Sequence, residues 1–205
     1  MELRSECKQT ELGFIPKDWE ISMLADYAFI TKLAGFEYTL HFNYLLSGPI
    51  IAVRALNIKN GTLDLSEIHT IPQSVSNLLP RSKLEKGDLV ISYVGTLGRV
   101  AVIPQDDKFH LAPNVAKICV KKSAVSPEFL CHYLNSFRGQ KSIFEAAAST
   151  TQAALSMGNL RKIAFPRPHL IEQKAIAEAL SDTDALIESL DQLIAKKRQI
   201  KQGAM

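Results

Sequence analysis

Residues 166–205 read PRPHLIEQKAIAEALSDTDALIESLDQLIAKKRQIKQGAM, and this stretch decides how the chain is organised. It contains no proline after Pro168 and no glycine before Gly203. With Thr183 at heptad position a, apolar residues fall at positions a, d and e, which makes a face wide enough for a coiled coil or a small bundle. We call this face the apolar seam; its residues are Ile176, Leu180, Leu186, Ile187, Leu190, Leu193, Ile194 and Ile200.

A helix from Leu170 to Gln202 would be about 50 Å long at 1.5 Å per residue, too long for a domain of this size to cover. Its acidic residues all precede Ala195, and its last turns are basic. Part of this arrangement complements the helix dipole. It also means that two such helices laid antiparallel would set a basic end against an acidic end. We therefore expect a long coiled-coil helix that serves as a spacer and a docking surface.

The composition is that of a globular protein, with 46% hydrophobic and 22% charged residues in 205. A chain of this length favours one globular domain with an appendage. The formal charge of +3 permits a nucleic-acid partner without arguing for one. The three cysteines are too far apart and too few for a disulfide framework or a zinc cluster. With no signal-peptide pattern at the N-terminus and no apolar run near ~20 residues, we expect a soluble, cytoplasmic protein.

The remainder of the chain predicts a mixed α/β (α+β) domain with a small curled sheet flanked by helices. Residues 29–46 mix small and aromatic side chains without a clear period, which is typical of a loop. A serine cap followed by proline, Ser126-Pro127, predicts a helix that continues to about Ala148 and is interrupted near Gly139. The predicted strands are residues 49–54 with a hairpin return at 61–65, residues 89–94 with a hairpin partner at 99–103, residues 115–120 and residues 163–165.

No signature of a catalytic centre is present in the sequence. The five histidines stand far apart, and neither a Gly-x-Ser-x-Gly elbow nor a dinucleotide loop occurs. The segment Gly95–Arg99 superficially resembles a phosphate loop, but it lacks the Lys-Ser/Thr ending and leads into a strand-like run. A hairpin turn that presents Thr96 and Arg99 is the better interpretation. We expect a protein that is not an enzyme and binds no metal or cofactor.

The polar residues 149–152, followed by Asn159 and Arg161, suit two interpretations. Asn, Gln and Arg read base edges, while Ser, Thr and Lys hold phosphates. A solvated loop and helix cap would have the same composition. This stretch alone does not decide between them.

The order of several short motifs resembles the specificity (S) subunit of type I restriction–modification enzymes. The motifs together cover nearly the whole chain, and their combination is more specific than any one of them. They are LGFIPKDW at 12–19, KGDLVIS at 86–92, GTLG at 95–98, TTQAALS at 150–156, IAFPRP at 163–168 with Glu172-Gln173 and Ile176-Ala177, and LIAKKR at 193–198 followed by KQGAM at 201–205.

The resemblance implies that residues 1–165 are one target recognition domain and residues 166–205 one conserved spacer helix. A complete S subunit has two of each, so the chain is expected to be a half-length form. We expect two copies to pair antiparallel through their helices and to read a symmetric, bipartite site on double-stranded DNA. Methyltransferase (M) and restriction (R) subunits are the other implied partners, and the methyl donor, ATP and magnesium would belong to them.

The residues predicted to contact DNA are chosen by their chemistry and their placement in loops. Two rival functions remain open: a coiled-coil adaptor that binds protein and no DNA, and a fragment of a nuclease or methyltransferase. The predicted DNA contacts are Lys32, Phe36, Tyr38, Arg54, Tyr93, Thr96, Arg99, Thr151, Gln152, Asn159 and Arg161.

Overall fold

The computed structural model describes residues 6–59, 61–148 and 154–203. The strands within these residues are β1 (Cys7–Thr10), β2 (Gly13–Pro16), β3 (Glu20–Met23), β4 (Ala28–Lys32), β5 (Ile50–Val53), β6 (His69–Ile71), β7 (Lys83–Leu84), β8 (Leu89–Ser92), β9 (Val100–Val102), β10 (Phe109–Leu111), β11 (Val115–Val120) and β12 (Ala164–Arg167). The helices are α1 (Leu24–Tyr27), α2 (Gly35–His41), α3 (Gln73–Leu78), α4 (Pro127–Asn135), α5 (Phe137–Ala148), α6 (Met157–Arg161) and α7 (Leu170–Gly203), with short 3-10 turns at Ala55–Asn57 and Pro80–Ser82.

Two four-stranded sheets form the centre of the domain. Their strand orders are β6-β5-β10-β7 and β4-β11-β8-β9. The second sheet is antiparallel throughout, whereas β5 and β10 pair in parallel in the first. The four residues of β8 are all buried, which explains why this strand reads as a continuous apolar run rather than as an alternating one. Helices α4 and α5 pack against this sheet and share its apolar core.

The predicted hairpin at Gly95–Gly98 is confirmed, because β8 and β9 pair antiparallel with Val90 opposite Ala101. The predicted hairpin return at residues 61–65 is present only as a short turn against residues 57–59. Lys59 and Thr62 exchange two backbone hydrogen bonds, the Asp64 amide bonds the Asn57 carbonyl, and Ile58 forms a bridge with Leu63. The segment does not pair with β5, whose neighbours are β6 and β10. The backbone of Gly61 instead accepts a hydrogen bond from the Val102 amide and donates one to the Val100 carbonyl. This segment therefore extends the edge of β9 and cannot return along β5.

The loop predicted for residues 29–46 is also wrong over most of its length. Residues 28–32 form β4, which pairs with five residues of β11, and residues 35–41 form α2. Strand β4 forms because it pairs with β11, which is distant in sequence. Its irregular local sequence therefore does not reveal that it is a strand. Helix α2 is fixed at its start by Glu37, whose carboxylate accepts the Ala34 amide and pairs with Arg81.

The helical region after Ser126 begins as predicted, with the Ser126 hydroxyl accepting the Phe129 amide. It breaks at Ser136, three residues before the expected position. Gly139 has a different role: a Cβ atom there would lie 2.1 Å from the Tyr133 carbonyl oxygen. The glycine is required because α4 and α5 meet backbone to backbone at this point.

Helix α7 is one element of 34 residues, and only its first turns touch the domain. Strand β12 pairs with β3 and positions the start of α7, which follows it after two residues. Gln173 and Ala177 are buried, whereas every residue from Glu178 to Gln202 is exposed. The predicted fold class, a mixed α/β domain with small sheets followed by one long helix, is confirmed. In the described parts of the chain, none of the helices has the length and hydropathy to cross a membrane.

Candidate nucleic-acid interface

One end of the two sheets gathers most of the predicted DNA contacts. In the second sheet, Ala116 lies opposite Lys32 and Val115 opposite Ser92, so the ends of β4 and β8 flank the start of β11. Only three residues connect the end of β10 to the start of β11. The first of them, Ala112, donates its amide hydrogen to the Val53 carbonyl at the end of β5. The ends of both sheets therefore meet here. We call this surface the loop edge; it consists of Lys32, Arg54, Tyr93–Arg99 and Ala112–Asn114.

Lys32 and Tyr93 form a cation–aromatic pair at the loop edge. The Lys32 ammonium lies 5.1 Å from the centre of the Tyr93 ring. The backbone holds this ring in place, because the Tyr93 amide bonds the Asn114 carbonyl and the Tyr93 carbonyl accepts the Leu155 amide. Lys32 remains exposed, so its charge stays available to an anion while its position is restricted.

The Gly95–Arg99 turn is rigid rather than flexible. The Ser92 hydroxyl donates to the Thr96 carbonyl and accepts the Arg99 amide. Gln140 of α5 supports the turn from below with a 2.8 Å hydrogen bond to the Gly98 carbonyl. Thr96 and Arg99 are exposed on this turn. The Arg99 guanidinium has no hydrogen bond or ion pair with any described residue.

Helix α6 lies beside β4 and carries two further predicted contacts. Arg161 is exposed and donates to the Ile30 carbonyl at 2.9 Å, two residues before Lys32. The Asn159 side chain is half-buried and bonds the Ala146 carbonyl at 2.8 Å. Asn159 therefore joins α6 to α5, whereas Arg161 adds a cation near the loop edge.

The residues after β4 form an aromatic cluster on the first sheet. Phe36 is exposed on α2, and Tyr38 packs against Phe42 and Tyr44 with ring centres 5.5 and 6.3 Å away. The Tyr44 ring lies 4.9 Å from that of His69. Burial raises the pKa of Tyr44 to about 12, Tyr38 adds to the rise, and Arg54 opposes it. The Tyr44 phenol therefore stays neutral and able to donate.

Arg54 is held by its own sheet more tightly than the other predicted contacts. Its guanidinium donates to the Glu67 carbonyl at 3.0 Å and lies 3.4 Å from the His69 ring nitrogen. The Arg54 Nε atom is buried and has no hydrogen-bond partner among the described residues. Only part of this side chain is exposed, at the loop edge where β5 ends.

The structure thus brings Lys32, Tyr93, Thr96 and Arg99 together, with Arg161 beside them. Phe36, Tyr38 and Arg54 lie at the same end of the neighbouring sheet. Thr151 and Gln152 lie outside the described residues. Sequence reasoning passed over Tyr44 and His69, although the density of aromatic residues from 36 to 44 was a usable signal. None of the described residues form a cluster of His, Cys, Asp or Glu side chains suited to a metal ion.

The apolar seam of α7 is solvent-exposed beyond the root of the helix. Leu190 and Leu193 are about half exposed, and Ile200 is 62% exposed. The domain contacts the helix through buried Gln173, through Ala177 and through His132, whose ring nitrogen lies 3.1 Å from the Ser181 hydroxyl. Apolar surface on this scale marks an interaction site.

The geometry defines a class of protein: an α+β head with cations and aromatic rings at one edge, carried on one exposed helix. The family described as "Type I restriction modification DNA specificity domain" matches residues 16–199. The chain belongs to this family, and the predicted resemblance is confirmed.

Curated relatives of the chain are specificity subunits by name. The type I restriction enzyme MjaVIII specificity subunit of Methanocaldococcus jannaschii is 29% identical over 186 residues, which cover 88% of this chain and 43% of the relative. The EcoKI specificity subunit of Escherichia coli is 27% identical over 202 residues, covering 93% of this chain and 40% of the relative. The chain therefore spans less than half the length of these relatives. Specificity, as distinct from catalysis, is the role that the resemblance predicted.

Solved structures share the fold. The HsdS subunit of Thermoanaerobacter tengcongensis superposes with a TM-score of 0.61 at 16% identity, over 93% of this chain and 43% of that chain. A chain from a structure describing assembly and conformational transition of the type I R-M system superposes with a TM-score of 0.64 at 18% identity, over 89% and 42% of the two chains.

Proposed function

We propose that this chain is a DNA-recognition subunit that directs type I methyltransferase and restriction subunits to a specific site on double-stranded DNA. Residues 1–165 are the recognition domain, and residues 166–205 are the spacer helix. Family membership and the names of the relatives support DNA sequence specificity. The structural observation that carries the proposal is the loop edge, where strand ends hold exposed cations beside aromatic rings.

The chemistry of the loop edge suits a DNA duplex. Lys32, Arg99 and Arg161 supply positive charge for phosphates, which fixes the position and orientation of a protein on DNA. Thr96 and Tyr93 supply a hydroxyl and a ring for base edges in a groove, where sequence is read. Because four of these side chains stand on strand ends of the second sheet and Arg161 stands on α6, which bonds β4, their spacing is fixed before DNA arrives.

The exposed helix supports an antiparallel homodimer. Pairing two copies of α7 would cover the apolar seam of each and hold two recognition domains apart. A two-fold pair reads two inverted sequence elements at a fixed separation. The methyl donor, ATP and magnesium are supplied by the M and R subunits in this proposal.

In the first experiment, the purified protein selects bound duplexes from a random DNA library at low salt. The mass of the protein in solution is measured in parallel by light scattering. We expect a dimer mass and enrichment of two short inverted elements at one spacing. Enrichment of a single element with a monomer mass would remove the dimer from the proposal. No enrichment, together with binding that does not respond to salt, would favour a protein-binding adaptor.

A charge-matched pair of variants tests whether the loop edge contacts DNA. Arg99→Ala removes an exposed cation at the loop edge, and Lys121→Ala removes one at the opposite end of the same sheet, where β11 ends. Each phosphate contact adds roughly 0.9 to the slope of log affinity against log salt. We expect Arg99→Ala to weaken binding and lower this slope by about 1, and Lys121→Ala to change neither. Equal effects of the two variants would place the DNA elsewhere.

A further inference from the structure

An apolar groove lies beside the root of α7. It is lined mainly by apolar and aromatic side chains, with His132, Ser136 and Arg138 also at its surface. The apolar and aromatic residues come from the β1–β2 hairpin and the turn after it, from α4, from β12 and from α7: Phe14, Ile15, Pro16, Trp19, Phe129, Tyr133, Pro166 and Leu180. This hairpin groove has a volume of about 360 Å³. Phe14 is 54% exposed within it, although the Trp19 indole nitrogen donates to the Glu172 carboxylate at 3.1 Å and ties the turn after the β1–β2 hairpin to the first turn of α7.

The hairpin groove continues the apolar seam. Leu180 belongs to both surfaces, and the seam residue Ile176, one turn nearer the start of α7, is half-buried. Residues spaced four and seven apart share one face of a helix, so Ile187 and Ile194 extend the same line toward the far end. A helix that packs along the apolar seam therefore also reaches the hairpin groove.

The positions of the apolar residues along the seam favour one register for antiparallel pairing of α7 with the α7 of a second copy. In antiparallel pairs, position a of one helix packs against position d of the other. One register places every seam residue of one copy opposite an apolar residue or Thr183 of the other, and it also sets Asp182 against Lys196. Its pairs are Ile176 with Ile200, Leu180 with Ile194, Thr183 with Leu193, Leu186 with Leu190, and Ile187 with Ile187.

The neighbouring register is worse in two ways. Sliding one helix by a heptad to pair Leu190 with Leu193 sets Leu186 against Lys197. It also leaves Ile176 without a counterpart in the described helix. Burying a lysine against leucine removes its charge from water with no carboxylate in exchange. Sliding the other way sets Leu190 against Ala179 and leaves Ile200 without a counterpart in α7. The first register is therefore favoured over both neighbouring registers on apolar burial.

We propose that the hairpin groove of each copy receives the Ile200 end of the other copy's α7. This inference rests on the antiparallel homodimer of the proposed function and adds its register and its second contact. Because Ile200 lies opposite Ile176, the last turn of the second copy arrives where Trp19 and Glu172 stand. Lys201 then comes near the Glu172 carboxylate. Each domain is thus held by two helices, its own and its partner's.

Crosslinking tests the register. A variant with Ile176→Cys and Ile200→Cys carries thiols about 36 Å apart along one helix, so a disulfide between them forms only between copies. Thr183→Cys with Ile200→Cys is the matched control, which links only in the neighbouring register. Of the three native thiols, Cys131 is buried, which raises its pKa to about 12, and half-buried Cys7 and Cys119 are replaced by serine in both variants.

Fluorescence tests the groove. Trp19 is the only tryptophan, and about 42 Å of helix separates its contact at Glu172 from Ile200 of the same chain. With Cys7 and Cys119 replaced by serine, a nitroxide attached at Ile200→Cys quenches only at short range, so it can quench Trp19 only from the second copy. Gln202→Cys, two positions beyond the seam residue Ile200, replaces this variant if labelling at residue 200 dissociates the dimer.

We expect a covalent dimer from the 176/200 variant, none from the 183/200 variant, and loss of most Trp19 emission on labelling. A dimer that crosslinks through 183/200 without quenching would overturn this inference and leave the proposed function standing. A dimer that shows neither crosslink nor quenching would overturn it as well. A monomer mass for the unmodified protein would overturn both.

Discussion

At the scale of single residues, His110 is a buried histidine between two carbonyl oxygens. It is 0% exposed, and its ring nitrogens lie 2.9 Å from the Leu111 oxygen and 3.3 Å from the Leu79 oxygen. Burial lowers the pKa of His110 below its usual 6.5, and the charge of Lys83 lowers it further, against the raising effect of the two carbonyls. The folded state therefore keeps this ring neutral.

This burial predicts a pH-dependent loss of stability. Below about pH 6.5 the unfolded chain binds a proton at His110 that the folded chain resists, so the free energy of unfolding falls as pH falls. One proton contributes at most about 1.4 kcal/mol per pH unit. We expect His110→Gln to be less stable at pH 7.5 and to lose less stability between pH 7.5 and 5.5 than the parent protein. Urea unfolding at the two pH values measures this difference.

The exposed His169 provides the control, since His169→Gln leaves the buried ring unchanged. Its stability should follow the parent protein across the pH range. If His110→Gln and the parent lost the same free energy on acidification, the buried ring would not be the responsible group.

The sequence predicted the location of a candidate site residue where the residue's position in the chain fixed its position in space. Thr96 and Arg99 follow a glycine-bounded turn between two strands, so their exposure at a sheet end was readable from the sequence. Asn159 was chosen for its base-reading chemistry, but its side chain bonds a carbonyl of α5. Tertiary contacts of this kind leave no local pattern. Contact with DNA stays a prediction for all of these residues.

At the scale of elements, Gln173 makes three of the hydrogen bonds that fasten α7 to the domain. The Gln173 amide oxygen accepts the Ser126 amide at 2.9 Å, and its nitrogen donates to the Ala124 and Pro168 carbonyls at 3.0 and 2.9 Å. Gln173 is 0% exposed. Gln173 therefore joins the start of α4 to the start of α7. These hydrogen bonds help to set the direction in which α7 extends from the domain.

Replacing this glutamine should destabilise the domain. Gln173→Leu keeps the bulk but leaves one buried amide and two carbonyls without these partners, and each such group costs about 1–3 kcal/mol. We expect a loss of about 3 kcal/mol or more in urea unfolding. Lys174→Leu, at the exposed neighbouring position, should change stability little. Similar losses in the two variants would mean that the hydrogen bonds of Gln173 are not what secures the helix.

Helices were more predictable than sheet pairing because their signals are local. The serine cap and proline of α4 and the uninterrupted periodicity of α7 are both visible in short windows of sequence. The parallel pairing of β5 with β10 joins residues nearly sixty apart, and no short window contains it. The hairpin return at residues 61–65 stays short for the same reason, since Gly61 bonds to β9 instead of continuing along β5.

At the scale of the whole molecule, the paired helices would set the geometry of DNA recognition. Each α7 is anchored in its domain at Gln173, and in the proposed register the two Gln173 residues lie about 45 Å apart along the helix pair. A helix pair of this kind does not stretch or twist freely. The two loop edges are thus held at one distance and one relative rotation.

This rigidity predicts a strict spacing between the two DNA elements obtained by selection. Five inserted base pairs rotate the second element by about half a turn and move it about 17 Å along the duplex. The second domain then meets the wrong face of the DNA, and the gain from binding both elements at once is lost. We expect the affinity for the lengthened duplex to fall to the affinity for a duplex with a single element, measured by titration at fixed salt.

Leu190→Asp, which places a charge in the middle of the apolar seam, provides the control. This variant is expected to be monomeric and to bind the original and the lengthened duplex equally. If the parent dimer tolerated the insertion, the two domains would be linked flexibly, and α7 would join them without fixing the spacing.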